Sequence, residues 1–247
     1  MRDIEDYAQK YLEPDFEAYQ VKYRRKKVLE ILHQYNPQHV LEIGCGMEPL
    51  FKYADWNYQL WTVVEPSNIF CENAKQIVLD RKSEACVQIY QDFFPTHEID
   101  GMQFDFIACS GLLHEVEQAD IFLGGGVAEI CKKDTIVHIN VPNANSFHRI
   151  LAKNMKLLDD VHDFSERNRQ LQQHRVFDMK SLIAEVENAG FSVCESGSYF
   201  LKPFTHAQMF RMMEDHIIGE EVLDGLYAIT DSLQEYGSEI YVNAKLV

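Results

Sequence analysis

The residues best suited to chemistry sit in Val40-Leu-Glu-Ile-Gly-Cys-Gly-Met-Glu-Pro49 and at three later points, Glu65, Asp92 and His114. An apolar run ending in Gly44-Cys45-Gly46 lets the backbone approach a nucleotide closely, because a Cβ at either glycine would collide with the ligand. Glu65 follows Gly46 by 19 residues and ends a second apolar run, where a carboxylate accepts hydrogen bonds from ribose hydroxyls. Pro49 stands where a dinucleotide fingerprint needs its third glycine, so no pyrophosphate cradle is expected and nicotinamide chemistry is disfavoured. A histidine is the side chain suited to general acid–base work near neutral pH, which makes His114 the first choice for a general base. Singly, each has a plainer reading: a turn, a surface acid, a strand-end cap, a histidine packed at a strand–helix junction. Their order along the chain is what points to a nucleoside site.

Positioning them requires a sheet. Short apolar runs at 39–43, 60–64, 87–90, 104–109 and 135–141 alternate with helical stretches at 3–35, 69–81 and 117–132. That alternation predicts an open, mostly parallel α/β sheet. A helix capped by Asp178 and stopped at Gly190 follows, and runs at 191–194 and 239–246 close the sheet as sixth and seventh strands. The expected organisation is one domain over 1–247, with an N-terminal helical segment at 1–36. Two helical insertions, 143–177 and 205–237, are predicted to cap the C-terminal edge of the sheet. The second opens with the capping box Thr205-His-Ala-Gln208, and its Met209, Phe210, Met212 and Met213 read as a cap core or a pliable apolar wall.

Glu42-x-Gly44-Cys45-Gly46, then Glu65, then Asp92-Phe93, then a strand ending Cys-Ser-Gly-Leu-Leu-His114 resembles the class I S-adenosylmethionine-dependent methyltransferases. The branch it resembles includes quinone O-methyltransferases and sugar and other small-molecule methyltransferases. The likeness covers about 35–145 well and continues loosely to the C-terminus. It implies a Rossmann-like, seven-stranded, mostly parallel sheet with helices on both faces, and S-adenosylmethionine as cofactor, leaving S-adenosylhomocysteine as product. Position by position, it implies that Glu42 steadies the glycine loop or the methionine moiety, and that Gly44, Cys45 and Gly46 admit the cofactor. Glu65, with Pro66 beside it, would hold ribose. Asp92 would take the adenine amino group and Phe93 would offer its backbone amide. Ser110, Gly111 and Leu112 would line the methionyl side, with His114 facing the reacting methyl. Arg24, or equally Arg25, stands where related enzymes carry an arginine for the cofactor carboxylate. Glu48 departs from the pattern, which usually has a third glycine there, and must turn away or meet the cofactor's ammonium group.

With 23 basic and 39 acidic residues the net charge is −16, which disfavours general nucleic-acid binding. The N-terminal residues contain no apolar signal segment, no run is long enough to span a membrane, and the six cysteines form no CxxC pair, so a reduced, cytoplasmic protein is expected. Asp159-Asp-Val-His-Asp163 lacks partner ligands and reads as a solvated face, so no metal is expected; Gly124-Gly125-Gly126 lacks the following Lys-Ser/Thr of a phosphate loop. The predicted reaction is methyl transfer to a small molecule by in-line displacement. A sugar or glycan-precursor hydroxyl is placed slightly ahead of a quinone or phenol, and nitrogen acceptors remain an alternative. His148 and His174, in the first insertion, are the candidate acceptor contacts. The competing expectation is a non-catalytic protein that binds the cofactor, favoured by Glu48.

Overall fold

A computed structural model describes residues 4–11 and 14–247. Seven strands form one sheet in the order β3-β2-β1-β4-β5-β7-β6, where β1 is His39–Ile43, β2 Leu60–Val64, β3 Val87–Tyr90, β4 Phe104–Ser110, β5 Cys131–Pro142, β6 Phe191–Tyr199 and β7 Glu239–Leu246. Neighbours among β1 to β5 pair in parallel, whereas β7 runs antiparallel to both β5 and β6. Two faces follow from the alternation of side chains along each strand. Val40, Phe106 and Ala108 point to one apolar layer, and Leu41, Ile107 and Cys109 to the other. The strand order reverses between β1 and β2 on one side and β4 on the other, which opens a crevice beyond their carboxyl ends.

The N-terminal stretch is two helices rather than the single one expected over 3–35: α1 (Ile4–Tyr11) and α2 (Glu17–Tyr35), with Pro14 between them. Proline lacks the amide proton a continuous helix needs and disfavours helical geometry in the preceding residue. After β2 comes α3 (Asn68–Arg81), the helix expected over 69–81, with Ser67 as its N-cap. The helix expected over 117–132 is not regular. Residues Ile121–Val127 widen into a π-helix and Ala128–Ile130 tighten into a 3₁₀ turn. Glycine is needed there at one place, since a Cβ on Gly126 would stand 2.9 Å from the Phe94 ring. β5 starts at Cys131 rather than 135, and β6 runs on to Tyr199 rather than stopping at 194.

The insertion between β5 and α6 (Met179–Asn188) contains α4 (Phe147–Asn154) and α5 (Glu166–Gln170). Asp178 caps α6 in a reciprocal box with Ser181. The second insertion contains α7 (His206–Glu214) and α8 (Glu220–Ala228), and Thr205 and Gln208 form the expected box. Met209, Met213 and Leu223 pack with Phe16, Tyr23 and Phe200 into the same buried layer as α2. This second insertion therefore packs against α2, and Met209 and Met213 are core. Among the described residues, no helix is long and apolar enough to cross a membrane.

Candidate functional site

Two adjoining cavities open beyond the carboxyl ends of the central strands. The smaller, about 300 Å³, is walled by the turns that follow β1, β2 and β4. Of the expected cofactor residues it gathers Arg24, Glu42, Gly44, Cys45, Gly46, Glu65, Pro66, Phe93, Ser110, Gly111 and Leu112. Gly44 and Gly46 have φ of 75° and 55°, which only glycine adopts freely, so these residues are fixed by backbone geometry as well as by ligand space. The Glu65 carboxylate is buried and locks this turn: Cys45 N and Gly46 N donate to one oxygen at 2.9 and 3.2 Å, and Ser67 N to the other at 2.9 Å. Burial raises its pKa, and the three amides oppose that shift. Glu42 ties the other side of the turn, accepting from Leu50 N at 2.9 Å and from the Trp61 indole at 3.0 Å. Burial lifts its carboxyl to about 8.

Asp92 is not among the cavity walls. It sits exposed at the rim, where its carboxylate accepts from Phe93 N at 2.8 Å and from the Thr96 hydroxyl at 2.5 Å. These local bonds hold its pKa below the usual carboxylate range. A strand-end acid is easily satisfied by its own turn, and here it is. Glu48 is taken by neighbours: it bonds Lys52 at 3.1 Å and the Tyr53 hydroxyl, and lies 3.7 Å from Arg25. Arg25 in turn stacks 4.0 Å above the Tyr53 ring. The missing third glycine is thus absorbed into a small charged cluster on the cavity wall.

The larger cavity, about 470 Å³, shares Tyr11, Arg24, Gly111 and Glu115 with the first and extends under the 143–177 insertion. His114 lines it from the turn after β4, buried, with its Nε2 3.7 Å from Glu115 Oε1. His148 also lines it. His174 does not: its ring is exposed, and its contribution is a backbone N–H donated to His114 O at 2.9 Å. Of the second insertion only His206 reaches the cavity, because the remainder is spent on packing against α2.

Arg24 is held between the cavities by acids the sequence did not associate with it. It donates to Glu239 at 2.5 Å and to Glu17 at 3.1 Å. The two carboxylates hold its pKa well above normal despite burial. A Cβ on Gly111 would stand 3.3 Å from the guanidinium, so glycine lets the arginine lie close against this turn. Glu239 also accepts from Gln20 at 3.0 Å and Tyr199 at 2.5 Å.

A buried polar chain sets the Ser110–Gly111 turn from below. Asn140 Nδ2 donates to Ser110 Oγ at 3.0 Å, and its Oδ1 accepts from Gly111 N at 2.8 Å. The same Nδ2 meets His138 Nε2 at 2.9 Å, and His138 Nδ1 meets Asn243 Oδ1 at 2.7 Å. Burial lowers the His138 pKa to about 4, so the ring is neutral, with its proton on Nδ1 facing the amide oxygen. The sequence hinted at this chain through polar residues at alternate positions of an apolar strand, His138 and Asn140.

The sheet is Rossmann-like, with a crevice at its switch point, where open α/β sheets bind ligands. The sequence profile of the methyltransferase-domain family matches residues 16–196, more than half of the chain, and the chain belongs to that family. It is an S-adenosylmethionine-dependent methyltransferase. No curated protein sequence matches it. Solved structures share the fold at low identity. A S-adenosylmethionine-dependent methyltransferase from Clostridium acetobutylicum has a TM-score of 0.56 at 10% identity, covering 91% of both chains. The plantazolicin methyltransferase BamL, solved with a desmethyl plantazolicin analogue and S-adenosylhomocysteine, has a TM-score of 0.56 at 16% identity, covering 97% of this chain and 94% of its own. The [4+2]-cyclase SpnF has a TM-score of 0.58 at 12% identity, covering 89% and 80%.

Proposed function

We propose that the protein methylates a hydroxyl of a sugar or glycan precursor, with His114 as general base. The observation carrying this reading is the polarity of the larger cavity. Its walls present Asp15, Glu17, Gln20, His148, Arg167 and Gln173, with Pro14, Pro142 and Leu171 apolar and Tyr11 the single Phe, Tyr or Trp ring among the lining residues described. A quinone or phenol would call for apolar and aromatic walls with few polar groups, whereas a polyhydroxylated acceptor needs many convergent donors and acceptors.

Residues of the smaller cavity fit S-adenosylmethionine. A carboxylate has about four acceptor sites, and Glu65 uses three on backbone amides, which leaves one for a ribose hydroxyl. Arg24 Nη1 bonds neither Glu17 nor Glu239 and can take the cofactor carboxylate. Glu42 keeps the glycine turn rigid through Leu50 and Trp61. With Asp92 held at the rim, the apolar walls of Phe93 and Phe94 flank the adenine end.

When bound, the cofactor supplies an already activated methyl group, so the chain's own work is alignment and proton removal. Tyr11, Arg24, Gly111 and Glu115 line both cavities, and methyl transfer would take place across this shared boundary. His114 beside them takes the hydroxyl proton as the new bond forms. The test is incubation of the purified protein with methyl-labelled cofactor and separate panels of sugars, phenols or quinones, and amines. Label in a sugar panel member bears the reading out. Transfer to a phenol or amine, or cofactor binding with no transfer to any panel, overturns it.

A further inference from the structure

Resting on that reading, we infer that the acceptor carries an anionic group, a carboxylate or a phosphate, which docks in the corner of the larger cavity formed by Lys202, His148 and Arg149. Two chain segments far apart in sequence bring these groups together, the start of α4 and the strand exit at 200–202.

The acids of this cavity are largely engaged. Glu239 and Glu17 hold Arg24, and Asp15 and Glu17 hold Arg167 at 2.6 and 3.2 Å. Glu115 lies at the opposite, cofactor-facing end. The cations of the corner have no such partners. Lys202 is buried at 3% exposure and its Nζ meets the Nδ1 of His206 at 2.8 Å. Arg149 gives its Nε to Val161 O at 2.8 Å and Nη2 to Asp163 O at 2.5 Å, both uncharged acceptors. Among the described residues, no carboxylate hydrogen-bonds to either cation.

His148 completes the corner. Its Nδ1 is buried and has no hydrogen-bond partner among the described residues. The charges acting on this ring come from Lys202, His206 and Arg149, and together with burial they hold it neutral. A buried polar nitrogen left unpaired is costly, and the carboxylates that act on the two cations, Glu17, Glu239 and Asp15 on Lys202 and Asp163 and Asp160 on Arg149, do so without a direct hydrogen bond. An incoming carboxylate or phosphate oxygen satisfies Lys202 and His148 at once, accepting from Lys202 Nζ and from a His148 N–H, with the charge of Arg149 beside them. Burial depresses the Lys202 pKa to about 7, and an anion in contact would restore its proton. The overall charge of −16 does not oppose this, since distant surface charges are screened over about 10 Å.

The test uses the full chain loaded with S-adenosylhomocysteine and, in parallel, the cofactor-free chain. Calorimetry with glucose, glucuronate and glucose 6-phosphate compares neutral, carboxylate and phosphate forms of one sugar, and inorganic phosphate serves as a bare anion. At least one charged form should bind about tenfold or more tightly than glucose, and whichever it is names the group. Inorganic phosphate should shift the imidazole NMR signal that His148→Gln removes. Lys202→Met and His148→Gln should each erase the preference, with S-adenosylhomocysteine affinity and the melting profile retained, while exposed Arg211→Met should not. Equal affinity for all three sugars, a preference surviving both variants, or no response to any anion overturns the inference. Loss of S-adenosylhomocysteine binding in the unaltered protein would instead break the cofactor reading, and the cofactor-free titrations would still judge the anion corner.

Discussion

The smaller cavity is built on three strand-end turns and closed by side chains from the helices around them, such as Tyr11, Val21 and Phe70, whereas the larger draws charged and polar side chains, Asp15, Glu17, His114, His148, Arg167, Lys202 and Glu239, from segments spread over the whole chain. In the first, two glycines and two carboxylates do their work through main-chain amides close by in sequence. In the second, charged side chains are arranged by long-range pairs such as Arg24–Glu239 and Arg167–Asp15. A cofactor common to many enzymes is met by geometry the backbone can supply. An individual acceptor is met by side chains whose placement costs desolvation and must be matched pair by pair.

That contrast can be broken by substitution. His114→Gln should lower methyl transfer by about 10²–10⁴-fold, the range for loss of a general base, with S-adenosylhomocysteine affinity unchanged. Equal losses in both would show that His114 supports the cofactor turn instead. Glu65→Ala should weaken S-adenosylhomocysteine binding by on the order of 100-fold, because three amides of the turn lose their acceptor. Calorimetry checks this directly.

Arg24 belongs to both cavities, so Arg24→Met should strike both. Glu239 would be left buried without its cation, and breaking such a pair costs about 3 kcal/mol or more, read as a lower melting temperature. Preserved stability would mean that Glu239 takes up a proton at no net cost.

Acid and alkali act on opposite partners. Glu42 sits at about 8 when folded against an ordinary 4.5, so the stability it contributes is whole below about 4.5 and is lost as pH rises through 8. His138 sits at about 4 against 6.5, so its contribution is whole above 6.5 and is lost as pH falls through 4. Melting profiles of the unaltered protein and of Glu42→Gln should therefore separate on the alkaline side, where only the unaltered chain declines for this reason. The smallest effect expected is for Asp92→Ala, within about threefold in cofactor affinity, because the exposed acid spends its bonds on its own turn.

The strands along the chain, the glycine turn and its two carboxylates were legible because they depend on local periodicity and on glycine and acid positions at strand ends. The seven strands, the Asp178 and Thr205 caps, and the lining roles of Gly44, Gly46 and Glu65 all follow from such patterns. Asp92 and His174 lie outside the cavity walls: the Asp92 carboxylate is taken by its own turn, and the His174 ring is exposed while its backbone N–H bonds His114 O. The break at Pro14 was visible in the chain but outweighed by helical composition on either side. The widened turn at Ile121–Val127 has no periodic signature, being imposed by Phe94 against Gly126.

By itself, the sequence determined a parallel α/β scaffold with a nucleoside-cofactor turn, because hydrophobic alternation and glycine geometry act over a few residues. Only the tertiary structure decided which polar groups meet: Glu239 with Arg24, Asp15 with Arg167, Asn140 beneath Ser110. Such pairs join positions dozens to hundreds of residues apart, and no local preference records them. They exist because buried charges and amides must find partners once the chain has closed around them.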